Sequence, residues 1–484
     1  MSVRKSLVIS FAEKYAVLIV SIASTMVLAR LLTPEEIGIF SVSVAVVGIV
    51  HMIRDFGVTQ YLVVEEELTK DRIRAAFGIT IVISWSIGGV LFLAAGSIAD
   101  FYNEPGLVST LSILSINFLL IPFGNPVLSL LRRDMAFGTL FWINTATSVV
   151  RETTAVTLAF LDFGFMSLVW GSLASVATTA VLATFCRPSQ ALVWPGFKEW
   201  RRVFAFGAPA SATAIVSELG VSTGDLVIGK ALGFAEVGLY SRALGLINLF
   251  QQNVMSAVRW VTLPAFAASK REGRSVMEDY LKSVSYLTVI AWPFYGMLFF
   301  MAGPIIRILF GDQWDMSIPL VRYLAVAAAI GAFWSLAGQA LMAAGFVRKV
   351  FLAEAIIQSV RIGFVVAAVF HSLEMVAATQ VIVYVIGFLV YQQFMQRHLD
   401  IGLVAVLRAS FKSLLVAMIS LIGPGIVVLA WGLHPTNFVL SLLVASIACG
   451  VGWLIGILIC GHPVKGEVKM LLAGLHQLRT GGGK

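Results

Sequence analysis

Apolar stretches of about 20 residues, the length a helix needs to cross a bilayer, recur fourteen times along this chain with short polar connections between them. Their approximate limits are 7–30, 37–60, 75–98, 107–130, 139–160, 165–186, 203–229, 236–262, 280–302, 318–344, 350–371, 374–396, 408–431 and 437–460. Lipid offers backbone amides no partner, so each stretch must close its own hydrogen bonds as a helix. Charged residues make up 12% of the chain and hydrophobic residues 59%, whereas a soluble domain is about 25% charged. The expectation is an all-α polytopic membrane protein of about fourteen transmembrane helices.

The net charge of +8 does not point to nucleic acid, because the basic residues sit in short clusters between apolar runs. Successive connections lie on alternate sides of the membrane. Twenty-three basic residues fall on the side of the N-terminus, among them Arg4, Lys5, Lys70, Arg72, Arg74, Arg132 and Arg133, and three, Arg30, Lys230 and Arg307, fall on the other. By the positive-inside rule both termini are expected in the cytoplasm. Arg4 and Lys5 resemble the start of a signal peptide, but Glu13 and Lys14 interrupt the apolar run that follows, so the first helix is expected to be retained.

One stretch is used twice. ARLLTPEEIGIFS, from Ala29 to Ser41, returns as GKALGFAEVGLYS from Gly229 to Ser241, with Leu32, Glu36, Gly38 and Ser41 identical in register to Leu232, Glu236, Gly238 and Ser241. Both copies lie between two apolar segments. The offset holds six segments, an even number, so both copies enter the membrane in the same direction and the repeat is parallel. The expected organisation is a six-helix lobe over 1–187, a second over 188–397, two additional helices over 398–462, and a cytoplasmic amphipathic tail over 463–484. The two lobes are expected to form a V-shaped central cavity.

Ionisable groups inside a bilayer are costly and tend to face a wet cavity or a partner. Those left after the loops are counted include Glu13, Lys14, Arg54, Asp55, Arg151, Glu152, Glu218, Asp225, Arg242, Arg259, Arg322, Glu354, Arg361 and Lys412. Arg242, Arg259, Arg322 and Lys412 lie near helix ends, where a long side chain can snorkel to the interface. Arg151, Glu152, Glu218 and Arg361 lie near mid-membrane, and for them two readings stand: a structural ion pair, or a place on a hydrated cavity. Helical spacing groups several into polar stripes: Lys14 with Ser10, Ser21 and Thr25; Arg151 with Asn144, Thr147 and Thr154; Glu218 and Asp225 with Ser211 and Ser222; Gln252 with Ser241, Asn248 and Arg259; Arg361 with Glu354 and Gln358. Fixed cations among hydroxyls and amides suit an anionic head group carrying something rich in hydrogen bonds, and arginine's planar fork suits a phosphate best.

Several chemistries find no support. The sequence has no GxxxxGK[ST] loop for ATP and no HExxH or Cys/His cluster for a metal, and its six histidines are scattered; only His51, four residues before Asp55, is placed to assist proton movement. Its outer loops are too short to hold a polymerase or ligase site. No enzymatic activity, cofactor or metal is expected.

ARLLTPEEIGIFS with its later copy, IPFGNPVLSLLRRDMAF from Ile121 to Phe137, FGAPASA from Phe206 to Ala212, and ILFGDQWDMSIPLVRYL from Ile308 to Leu324 together resemble the polysaccharide transporter family. These are Wzx-type flippases of lipid-linked oligosaccharides within the multidrug/oligosaccharidyl-lipid/polysaccharide exporter superfamily. The resemblance implies a protein of the bacterial inner membrane that moves undecaprenyl-pyrophosphate-linked oligosaccharide repeat units for exopolysaccharide, capsule or lipopolysaccharide assembly by alternating access. It makes Lys14, Arg54, Arg151 and Arg361 candidate head-group contacts, with Asn144, Gln252 and Gln358 as polar neighbours. Glu13, Asp55, Glu152, Glu218 and Asp225 become candidate carriers of a coupling H+ or Na+. A polysaccharide polymerase and chain-length proteins are the partners it implies. A small-molecule or multidrug efflux antiporter of the same superfamily is the alternative, and it would need a cavity governed by acids.

Overall fold

The computed structural model of the chain describes residues 3–55, 58–65, 67–188, 194–196, 198, 200–272, 275–431 and 437–467. The side chains of residues 3–16 and 201–214, and those of Asp55 and Arg259 among a few others, are outside the described set, as is the tail from 468 onward where an amphipathic helix was expected. All regular structure among the described residues is helical. In chain order the helices are α1 (Val3–Leu31), α2 (Pro34–Asp55), α3 (Val58–Val64), α4 (Lys70–Tyr102), α5 (Gly106–Leu120), α6 (Asn125–Arg133), α7 (Phe137–Phe160), α8 (Met166–Cys186), α9 (Trp200–Ala231) and α10 (Phe234–Phe250). There follow α11 (Ser256–Arg271), α12 (Val276–Phe300), α13 (Ala302–Leu309), α14 (Ser317–Gly331), α15 (Ala337–Ala343), α16 (Val347–Val369), α17 (Leu373–Leu399), α18 (Leu403–Trp431) and α19 (Phe438–Ile459). Among the described residues nine helical segments are long and apolar enough to cross a membrane.

Three of the expected segments are not single helices. The fourth passes through a 3-10 turn at Ile121–Phe123 before α6. The eighth passes through a π-turn at Gln251–Met255, and the tenth is interrupted over residues 332–336. Pro122 and Pro126, with Gly124 between them, explain the break at 121–124, since proline lacks the amide and crowds the preceding turn. Only the hydrophobicity of these stretches was read from the sequence, and hydrophobicity does not register a lost turn.

By contacts the chain divides into two units. The first comprises Met1–Ser241 with Leu309–Gln313, and the second Arg242–Ile308 with Trp314–Lys484. The boundary between them falls inside α10. In the first unit α7 packs on α8 and α1, α4 on α5, and α9 on α2 and α4. In the second, α18 packs on α12 and α19, and α17 on α14 and α16. The two closely spaced pairs of segments form the hairpins α7/α8 and α16/α17. Asp162 and Gly164 turn the first with left-handed φ values of 59° and 54°, and the Ser372 hydroxyl caps the second by accepting from Met375 N at 3.1 Å.

The duplicated stretch explains itself in the first unit. Thr33 and Glu36 make a reciprocal capping box at the start of α2: Glu36 N donates to Thr33 Oγ1 at 3.2 Å, and Thr33 N to Glu36 Oε2 at 2.8 Å. The two repeated glycines are reciprocal. A Cβ on Gly38 would overlap the Phe234 carbonyl, and one on Gly238 would overlap that of Pro34. The first turns of α2 and α10 therefore cross backbone to backbone. At the other end of the first unit the basic residues work as staples: Arg72 bonds Glu65 at 3.1 Å, Lys198 bonds Asp71 at 2.9 Å, and Arg187 bonds Asp134 at 3.0 Å.

Candidate functional site

The polar groups of the first unit are mostly neutralised where they stand. Arg151 on α7 folds along its own helix to Glu152, its Nε donating to Glu152 Oε1 at 2.9 Å and its Nη2 to the same oxygen. Glu152 is buried and Arg151 about half exposed, so the structural ion pair is realised here. Arg54, 2% exposed, closes the last turn of α2 with Nη2 at 2.8 Å from His51 Nε2. It borders a cavity large enough for about one water, lined also by Thr59, Thr80, Asn125 and Ser129. Hydroxyl pairs complete this interior, Ser43 with Thr110 at 2.7 Å and Thr147 with Thr179 at 3.1 Å. Asn144 is half-buried on the same helix as Arg151.

Two acids of α9 have a different setting. Glu218 accepts from the Ser222 hydroxyl at 2.9 Å and lies over Gly48 of α2, where a Cβ would stand 2.7 Å from its Oε1. Asp225, two turns further on, accepts from Ser241 at 3.3 Å. Neither has a basic partner among the described residues. Glu13 and Asp55, candidate carriers like them, and Lys14, a candidate head-group contact, have side chains outside the described set.

In the second unit Glu354, Gln358 and Arg361 share one face of α16, as their spacing predicted. Gln358 Nε2 donates to Glu354 Oε2 at 3.2 Å, and the Tyr391 hydroxyl of α17 donates to Glu354 Oε1 at 2.7 Å. Glu354 is thus held between two helices instead of reaching an interface. Arg361 has no carboxylate partner among the described residues; its guanidinium lies 5.8 Å from the centroid of the Tyr384 ring, a cation–π contact. Gln252 is exposed in the π-turn after α10.

Two features were missed in the sequence. The rings around Arg361 and Glu354, namely Tyr384, Tyr391 and Trp334, had a readable signal, since two tyrosines seven residues apart share a helix face. His462 had none. Buried just beyond α19, its Nε2 stands 3.0 Å from Ser285 Oγ of α12 and 3.1 Å from Ser413 Oγ of α18, and its Nδ1 accepts from Val464 N at 3.2 Å. Burial and the nearby Lys412 ammonium push the imidazole down to about 4.

These features can be set beside known proteins. The polysaccharide biosynthesis protein family matches residues 27–319, more than half of the chain. The chain belongs to this family. The nine apolar helical segments among the described residues fit a multi-pass membrane protein of this family. Teichuronic acid biosynthesis protein TuaB of Bacillus subtilis is 22% identical over 88% of each chain. Succinoglycan biosynthesis transport protein ExoT of Rhizobium meliloti is 29% identical over 63% of this chain and 62% of its own. Lipopolysaccharide biosynthesis protein WzxC of Escherichia coli is 24% identical over 66% of this chain and 65% of its own. The match thus spans slightly less than two thirds of WzxC and ExoT. Among solved structures, the lipid II flippase MurJ in an inward closed conformation superposes with a TM-score of 0.73 over 93% of this chain and 99% of its own, at 13% identity. An inward-facing MATE multidrug resistance transporter of the MOP superfamily gives 0.63 over 78% and 94%, at 14% identity. At these identities the likeness is one of fold.

Proposed function

We propose that this protein moves an undecaprenyl-pyrophosphate-linked oligosaccharide from the inner to the outer leaflet of the bacterial inner membrane, for assembly of a surface polysaccharide. In this reading fourteen helices cross the membrane, in two six-helix lobes, 1–187 and 188–397, around a central cavity, with 398–462 adding two more and both termini in the cytoplasm. The observation that carries it is Arg361. A cation in the middle third of an apolar helix costs about 2.5–3.5 kcal/mol on insertion, and this one has only an aromatic face to offset it among the described residues. A diphosphate offers the missing anion and matches the guanidinium fork. Lys14, Arg54 and Arg151 remain lesser candidates, Arg151 because Glu152 already neutralises it, with Asn144, Gln252 and Gln358 as polar contacts.

Energy comes, in this proposal, from an ion gradient, H+ or Na+, carried by acids among Glu13, Asp55, Glu152, Glu218 and Asp225. Glu218 and Asp225, held by serine hydroxyls alone, are the preferred pair. A polysaccharide polymerase and chain-length proteins would receive the product. The names of WzxC, TuaB and ExoT support the polysaccharide reading; the MATE likeness, which would favour efflux of small molecules, carries the fold only.

The test is complementation. Inverted vesicles from a deletion host should accumulate the lipid-linked unit on the cytoplasmic face. Arg361→Ala should leave it there, and Arg151→Ala should clear it at least in part. Clearance by Arg361→Ala at the wild-type rate would sink the assignment of the anion seat. Normal surface polysaccharide in the deletion host would point to efflux.

A further inference from the structure

The proposal above uses Arg361 and leaves its surroundings unexplained. The second unit holds buried polar atoms with no hydrogen-bond partner among the described residues, and four of them are Gln358 Oε1, Arg361 Nε, Trp334 Nε1 and Gln380 Nε2. Gln358 and Gln380 are each 5% exposed. Buried groups of this kind are normally paired, because leaving one unmade forfeits its full hydration.

Ring contacts and hydrogen bonds tie Trp334, Arg361 and Gln358 into one cluster, and helix register places Gln380 on its face. Trp334, in the break between α14 and α15, stacks on Tyr391 with centroids 5.1 Å apart and planes at 18°, and leans on Tyr384 at 6.0 Å. Tyr384 carries Arg361 over its ring, and Tyr391 reaches Gln358 through Glu354. On α17, Gln380, Tyr384, Gly387 and Tyr391 follow one another at four, three and four residues, which is one helix face. A Cβ on Gly387 would stand 2.8 Å from the Trp334 ring, so this face is cut to admit the indole. An interruption of the α14/α15 segment, inside the membrane in our reading, is also where transporters commonly build substrate sites.

The unpaired set is mixed, with three donors and one acceptor. Phosphate oxygens can only accept, and an organic ammonium can only donate. A hydroxyl does both. Flat rings beside such a mixed set match a sugar ring, whose C–H faces lie on aromatics while its hydroxyls engage amide and indole groups. We infer that this cluster of α16, α17 and the α14/α15 break is a sugar-binding subsite that takes a pyranose of the substrate next to its diphosphate. It rests on the transport reading above and adds to it that the second unit reads the sugar.

The experiment is equilibrium binding to the full chain in nanodiscs, with two probes: undecaprenyl pyrophosphate, and the same lipid carrying the host's repeat unit. The wild type should bind the sugar-bearing lipid more tightly. Gln380→Leu should weaken that lipid alone by about tenfold or more, as expected when a hydrogen-bonding site loses its partner. The melting temperature should stay level or rise, since leucine removes an unpaired polar group. Gln358→Met should act in the same direction, whereas Arg361→Gln should weaken both lipids. A wild type that binds both lipids, with Gln380→Leu and Gln358→Met keeping its preference, would overturn the subsite and leave transport standing. A wild type that binds neither lipid would overturn the transport reading and the subsite together.

Discussion

Arginines 151 and 361 look alike in the sequence, each on a polar stripe in the middle of an apolar helix. What separates them is the neighbour. Arg151 is followed by Glu152, which takes its guanidinium, while Arg361 lies over Tyr384, twenty-three residues away on another helix. The stripes were therefore legible, but not which stripe is neutral. His462 shows the opposite limit, because its partners Ser285 and Ser413 are 177 and 49 residues distant. Since Nδ1 accepts a backbone N–H, a second proton there would break that bond, so the ring is neutral when docked. Its folded value of about 4 lies below the unfolded value of about 6.5. The unfolded chain thus takes up the proton first, and stability falls as pH drops from about 6.5 toward 4. His462→Gln, which cannot take up the proton, should lose less melting temperature between pH 7 and 4.5 than the wild type. Equal losses would show that His462 is not the titrating group.

At the scale of the element, the duplicated stretch had been noticed through four identities, and three now have separate causes. Glu36 closes a capping box, Gly38 and Gly238 let two helix starts cross, and Ser241 holds Asp225. Neither glycine site can take a side chain without parting α2 from α10. Gly38→Val and Gly238→Val should each impair transport without abolishing it, and since the contact is shared the double variant should be little worse than either single one. Additive loss, measured as lipid-linked unit retained in inverted vesicles, would mean two independent defects. The broken helices were not legible as breaks. Pro122 and Pro126 were visible, but the interruption at 332–336 contains no proline and holds Trp334, which meets Tyr384 and Tyr391 of another helix.

For the whole molecule, the contrast between basic and non-basic loops makes one direct prediction. Cys186, exposed at the end of α8 beside Arg187, lies on the basic side. With Cys449 and Cys460 replaced by serine, a membrane-impermeant maleimide should label Cys186 in inverted vesicles and spare it in intact spheroplasts; the reverse would invert the topology. The sequence by itself determined that the chain is helical and multi-pass, because bilayer thickness and backbone hydrogen bonding leave apolar 20-residue stretches no other structure. It also determined which helices carry polar stripes, since 3.6-residue periodicity is local. Only the tertiary structure decided which charges are paired, where helices break, and which rings surround Arg361. Those outcomes depend on side chains that meet across different helices, and no local period encodes that meeting.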